Sequence, residues 1–444
     1  MSTASPSPWR HVAQAAAALA AGMGVGRFVY TPILPLMHTQ AGLSAGAGAN
    51  LATANYVGYL VGALAGILSP ALIRSRTVLR GSLVVLTATL AAMPLTHSVL
   101  LWGVLRLLAG VASALVFVVA AGSLLHHLRE HPPHLPGWAF GGVGAGIALS
   151  GLLVLALRSA ADWRAAWWSA AALAAVLACG SWNLRPEDAP AGQPARSGGS
   201  GPRTHRWFGA LFVSYTLEGV GYIVAGTFLV AAIGQGSPGW VGSGAWVLVG
   251  LAAVPSSALW ARLGRRFSRP GLLLAALVVQ AAGIALPALA GTTAAALVSA
   301  VLFGATFLGV STLALATGAH LRFPRSVALL TAGYSVGQIL GPLAVAPLLH
   351  HGYHQALLLA ALVVLAAAAA AAVLRIGFPH HMVVVRHTEP RRQRESTRDA
   401  RPAQGRTPTP APYPAEGRGA AHEHRTGPCD RRPVRGTRPP GGTG

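Results

Sequence analysis

The sequence predicts an all-α integral membrane protein whose twelve transmembrane helices form two six-helix pseudo-repeat halves. Three observations carry this. Apolar residues fill 53% of 444 positions and charged residues 10%, with a mean hydropathy of +0.53, whereas soluble domains carry roughly 25% charge. The apolar residues fall into runs about as long as a bilayer-spanning helix, divided by short gaps that hold arginine. Met23-Gly24-Val25-Gly26-Arg27 in the first run is echoed by Glu218-Gly219-Val220-Gly221-Tyr222 in the seventh, beyond a polar segment.

The first span is expected over about residues 11–37. It places Arg27 mid-run, where a guanidinium costs about 2.5–3.5 kcal/mol and should therefore face protein or a water-filled cavity. Gly22, Gly24 and Gly26 leave one side bare for a neighbouring helix. We read this stretch, with Tyr30, as the wall of a central polar cavity. The second span, about 49–70, carries a ridge of Gly58, Gly62 and Gly66, a packing face. Asn55 and Tyr59 extend that face and are candidates for the cavity, with helix-to-helix hydrogen bonding an equal account of both.

The third span covers about 79–97 and the fourth about 99–125. Arg106 lies inside the fourth, with Gly110, Ser113 and Phe117 continuing its face. The loop after it, 126–136, holds four histidines, but three prolines interrupt it; it reads as a turn rather than a metal site. The fifth span, about 138–157, is glycine-rich, and the sixth is about 165–184. Residues 1–184 thus form the N-terminal half, and 185–206, rich in Pro, Gly and Ser, a flexible linker. Spans at about 207–232, 240–262, 270–290, 292–319, 326–349 and 354–376 make up the C-terminal half, 207–376. Residues 377–444 are basic and poor in large apolar residues, the composition of a disordered tail.

All 33 basic residues counted with Lys are arginine, and thirteen lie in that tail. With the tail and the mid-span Arg27 and Arg106 left aside, an N-terminus placed in the cytoplasm puts sixteen arginines on that side and only Arg158 and Arg164 opposite. This predicts an even number of spans, both termini cytoplasmic, in the cell's inner (plasma) membrane. Topology accounts for the formal charge of +22, so no nucleic-acid partner is expected. The expected partners are the lipid bilayer, a small-molecule substrate and protons, with no cofactor or metal and a monomeric state.

Glu218 is the single carboxylate inside any span, and Tyr215 and Tyr222 share its helical face. A low-dielectric site favours the neutral form of a carboxyl, which suits a group that must take up and release protons. A neighbouring arginine would oppose that. The residues leave three roles open for Glu218: proton carrier, half of a static ion pair, or substrate ligand. Arg27 and Arg106 could instead grip an anionic substrate group or tie down backbone carbonyls at a helix crossing. Tyr334 and Gln338, four apart on the eleventh span, are candidates to complete the polar lining, with packing hydrogen bonds the alternative.

With these residues in hand, the chain from about 10 to 376 resembles the major facilitator superfamily. Gly24-Val25-Gly26-Arg27-Phe28-Val29-Tyr30-Thr31-Pro32, Ala54-Asn55-Tyr56-Val57-Gly58-Tyr59, Gly221-Tyr222 through Thr227-Phe228, and Gly337-Gln338-Ile339-Leu340-Gly341-Pro342 resemble its YbfB/YjiJ-type branch. The resemblance implies a secondary transporter of a small organic molecule working by alternating access. Arg106 with Gly110 looks like the fourth-helix arginine motif that proton-coupled members use in proton handling. The loop at Arg74-Ser75-Arg76 lacks the aspartate of the superfamily's gating pattern. An uncoupled facilitator, and a membrane sensor that binds without turnover, are the alternatives. No phosphate-cradling loop and no grouped nucleophile, base and orienting residue occur, so an ATPase or other enzyme is not expected.

Overall fold

A computed structural model describes residues 8–128, 131, 135–157, 162–186 and 204–379. Most of the linker and of the tail expected from the sequence therefore lies outside the described residues, as does His134 of the histidine loop. The described part is helical throughout its ordered elements. In the N-terminal half these are α1 (Pro8–Leu19), α2 (Tyr30–Ala41), α3 (Ala45–Leu68), the single turn α4 (Pro70–Ile73), α5 (Arg76–Ala92), α6 (Val99–His127), α7 (Leu135–Leu157) and α8 (Trp163–Ser181). The C-terminal half consists of α9 (His205–Gly236), α10 (Gly239–Leu263), α11 (Arg269–Leu289), α12 (Thr293–His320), α13 (Ser326–Val345) and α14 (Tyr353–Leu374).

Among the described residues eleven segments are long and apolar enough to cross a bilayer, α1 and α2 together making one. The twelfth is α8, 19 residues long, whose Trp163, Arg164, Trp167 and Trp168 lower its hydropathy. Each half therefore contributes six spans. Helix starts follow the local chemistry: Ser44, Ser75, Ser98, Asp162 and Thr292 each accept from the backbone N–H three residues on, satisfying donors that the first turn leaves free.

One element departs from expectation. The first span is not a continuous helix over 11–37: α1 passes into a π-helical turn at Ala20–Val25, and residues 26–29 form turns before α2 begins. Pro32 accounts for the C-terminal end of the break, because it lacks an N–H for the Phe28 carbonyl and its ring crowds that position; the π-helical turn, with Gly26 N–H on Ala21 O and Phe28 N–H on Met23 O, lies before its reach. The Thr31 N–H turns to Phe28 O at 3.2 Å. Arg27 O thereby loses the Thr31 N–H, and Gly26 O likewise receives no backbone donor, so both must find donors elsewhere.

Glycines set how closely the spans approach. A Cβ on Gly58 would stand 2.0 Å from the Leu107 carbonyl oxygen, and one on Gly110 equally close to that of Asn55, so α3 and α6 meet backbone to backbone. The two halves meet in the same way along α7 and α10. Gly137, Gly144 and Gly151, seven residues apart, each leave room for α10 backbone near Ala258, Val254 and Val247. A seven-residue repeat keeps one helix face toward its partner over the length of a span.

Candidate functional site

The break in the first span is where the site is built. Arg106, on α6, is 1% exposed. Its Nη1 donates to Gly26 O at 3.2 Å and its Nη2 to Arg27 O at 3.1 Å, the two carbonyls that the break has freed. The guanidinium also lies over the rings of Tyr30 and Trp167, 5.0 and 5.9 Å from their centroids. The Tyr30 hydroxyl donates to Gly48 O at 2.8 Å, and Asn55 Nδ2 donates to Arg106 O at 2.8 Å. Arg106, Tyr30 and Asn55 are thus tied together by hydrogen bonds within the N-terminal half.

Held in this way, Arg27 points across to the other half. Its Nη2 donates to Gln338 Oε1 on α13, while its Nε has no partner. Tyr59, Tyr56 and Phe28 lie 4.5, 4.9 and 5.3 Å from the guanidinium carbon, measured to ring centroids. Gln338 Nε2 donates to the Tyr222 hydroxyl at 3.2 Å. Tyr334 stacks on Tyr222 at 5.3 Å and on Tyr215 at 4.4 Å, and Phe307 stacks on Tyr222 at 6.2 Å. Tyr215 and Tyr222 stand one turn either side of Glu218 on α9.

Glu218 is 0% exposed and reaches neither arginine. Its Oε1 accepts from Gln280 Nε2 on α11 at 3.2 Å, and its Oε2 has no partner. Of the three roles left open by the sequence, a static pair with Arg27 or Arg106 is not what the geometry contains.

The open polar cavity read from the sequence also takes a different form. Arg27 is 3% exposed and Gln338 1%, so their surroundings hold almost no space large enough for water; the halves are closed around them. A cavity of about 250 Å³ lies instead at the end of the C-terminal half where α10 finishes and α11 begins, bordered by Trp260, Arg262, Arg265, Arg269 and Thr312. On the end where α2 finishes, Tyr353 and His38 join the halves, the hydroxyl 2.7 Å from Nε2, while Nδ1 bonds Leu43 O. Tyr56 meets Thr227 at 2.7 Å across the same boundary. Among the described residues no three His, Cys, Asp or Glu side chains come close enough to hold a metal.

The sequence profile of the family described as "Uncharacterised MFS-type transporter YbfB" matches residues 19–373. The chain belongs to this family. It is a multi-pass membrane protein and a transporter of the major facilitator superfamily. Among solved structures, a point mutant of the nucleoside transporter NupG aligns with a TM-score of 0.64 at 13% identity, covering 82% of this chain and 99% of that one; the likeness is one of fold. None of the curated proteins compared matches the chain in sequence.

Three residues of this transporter's centre were not singled out from its sequence. Gln280 is a lone amide in an otherwise apolar ninth span, a signal of the same kind as Glu218 and readable in the same way. Tyr56 and Phe307 offered no comparable signal, since an aromatic ring in an apolar helix more often belongs to the packing.

Proposed function

We propose that the protein is a proton-coupled secondary transporter of a small organic molecule, in which the two halves rock about the α7–α10 seam and give alternating access to the boundary at Arg27 and Gln338. The observation that carries proton coupling is Glu218, the sole carboxylate within the spans, buried with one oxygen unpaired and only an amide for company. A charged carboxylate there would be costly in a dry surrounding, whereas the neutral acid would not be. Arriving water, admitted when the halves part, would reverse that preference and release the proton. The face of Tyr215, Tyr222 and Tyr334 connects Glu218 to Gln338, and Gln338 to Arg27, so the state of the acid and the separation of the halves can influence each other through one contiguous group. We place the N-terminus, the linker and the tail in the cytoplasm, on the arginine asymmetry, and the protein in the inner membrane as a monomer.

The test uses proteoliposomes and a ligand found by thermal-shift screening of the purified protein against a metabolite library. Flux should respond to an imposed pH gradient in the wild type. Glu218→Gln should abolish that response while leaving exchange of the ligand across the membrane. A pH response that survives the substitution removes Glu218 as the carrier, and a wild type indifferent to the gradient makes the protein a facilitator.

A further inference from the structure

Among the described residues, two guanidinium groups and one carboxyl are buried in the spans, and the carboxyl touches neither guanidinium. Arg106 is occupied by two backbone carbonyls and held under Tyr30 and Trp167. Arg27 is different. Its one hydrogen-bonded acceptor is a neutral amide oxygen, and that amide belongs to the opposite half, although the residue is only 3% exposed; its Nε, like that of Arg106, has no partner. A buried guanidinium with no anion beside it is an arrangement that proteins avoid unless the charge has a use.

We propose that Arg27 is the anchor for a small organic carboxylate with a flat apolar body, and that Gln338 stands in for the carboxylate when the site is empty. An amide oxygen presents to a guanidinium the same acceptor that a carboxylate presents, without the charge, and a carboxylate adds a second oxygen that the unpaired Nε can reach in the fork geometry of arginine. Parting of the halves carries Gln338 away with α13 and leaves Arg27 exposed on the N-terminal half. The body of the ligand would then lie among Phe28, Tyr56 and Tyr59 on one side and Tyr222 and Phe307 on the other, whose faces favour a planar apolar group over a bulky or strongly hydrated one. This names the substrate class of the transport site proposed above and rests on that reading.

The experiment is equilibrium binding to the purified full-length protein in detergent, by calorimetry, with benzoate, benzamide and acetate as probes. Benzoate should bind about tenfold more tightly than benzamide, which has the same ring without the charge, and about tenfold more tightly than acetate, which has the charge without the ring. Arg27→Gln should weaken benzoate by at least about tenfold and bring it level with benzamide. Tyr59→Leu, which leaves Arg27 and its amide partner in place, should bring benzoate toward acetate. The proposal fails if benzoate does not bind, if benzamide or acetate matches it in the wild type, or if both variants keep the wild-type preferences. Binding at equilibrium needs neither turnover nor a pH gradient. An anion site on a protein that does not couple protons would pass this test while failing the flux test, and a coupled transporter of neutral molecules would do the reverse.

Discussion

Arg106→Gln is expected to lower folded-state stability by about 4 kcal/mol, while Arg27→Gln leaves the protein folded. Arg106 fills the acceptor needs of Gly26 O and Arg27 O, which receive no backbone donor in the broken span. A buried carbonyl left without a donor costs about 1–3 kcal/mol, and here there are two. The contacts with Tyr30 and Trp167 add to the loss. Lysine would keep the charge but not the planar fork, so Arg106→Lys should recover only part of the deficit. At position 27 the substitution exchanges a guanidinium for an amide opposite the amide of Gln338, and amides pair well with each other. Thermal unfolding of the purified variants, together with the fraction recovered as a monodisperse species, measures the difference. Equal stability of the two glutamine variants would mean that Arg106 does not hold the broken span, and its role would have to be sought in proton handling, as the superfamily resemblance implies.

The contrast between these arginines shows which parts of the site could be read before any geometry was known. A charge in the middle of an apolar run is legible because the bilayer penalises it wherever the chain goes, so Arg27, Arg106 and Glu218 stood out. Their partners did not. Whether Glu218 meets Arg27 depends on how α9 is rotated against the N-terminal half, and no residue near 218 records that rotation. The same holds for Asn55, which serves the α3–α6 contact and not the boundary, although both faces of α3 carry small and polar residues. The interruption of the first span had a visible cause in Pro32. Proline alone does not decide the matter, because the apolar run continues through it and proline within a membrane helix is tolerated when a neighbour satisfies the freed carbonyls. That neighbour, Arg106, lies 79 residues away from Arg27 in sequence. The fold itself was easier to read, since span length and arginine placement are properties of single segments, and the repeat across the linker needs no contact to be seen.

Gly144→Leu should disable the seam between the halves, with a loss of about 3 kcal/mol or more. A Cβ at this position would stand 2.6 Å from the Val254 backbone nitrogen and 2.7 Å from the Gly250 carbonyl oxygen. Those are backbone atoms of a helix and cannot swing aside as a side chain can, so the strain should exceed the roughly 1–3 kcal/mol of ordinary overpacking. Gly144 is also the middle of the three glycines that face α10, so relief requires α7 and α10 to separate along much of their length. The control is Gly81→Leu on α5, where nothing lies within 4 Å of the added carbon and a leucine should be tolerated or favoured by its better helix propensity. Thermal unfolding should show a large drop for Gly144→Leu and none for Gly81→Leu. If the two variants unfold alike, the halves do not depend on backbone contact along α7 and α10, and rocking about that seam loses its structural basis. If Gly144→Leu unfolds at a lower temperature but still exchanges ligand across a membrane at the wild-type rate, the seam serves assembly alone and the pivot lies elsewhere, with α3 and α13 the next pair to examine across the boundary.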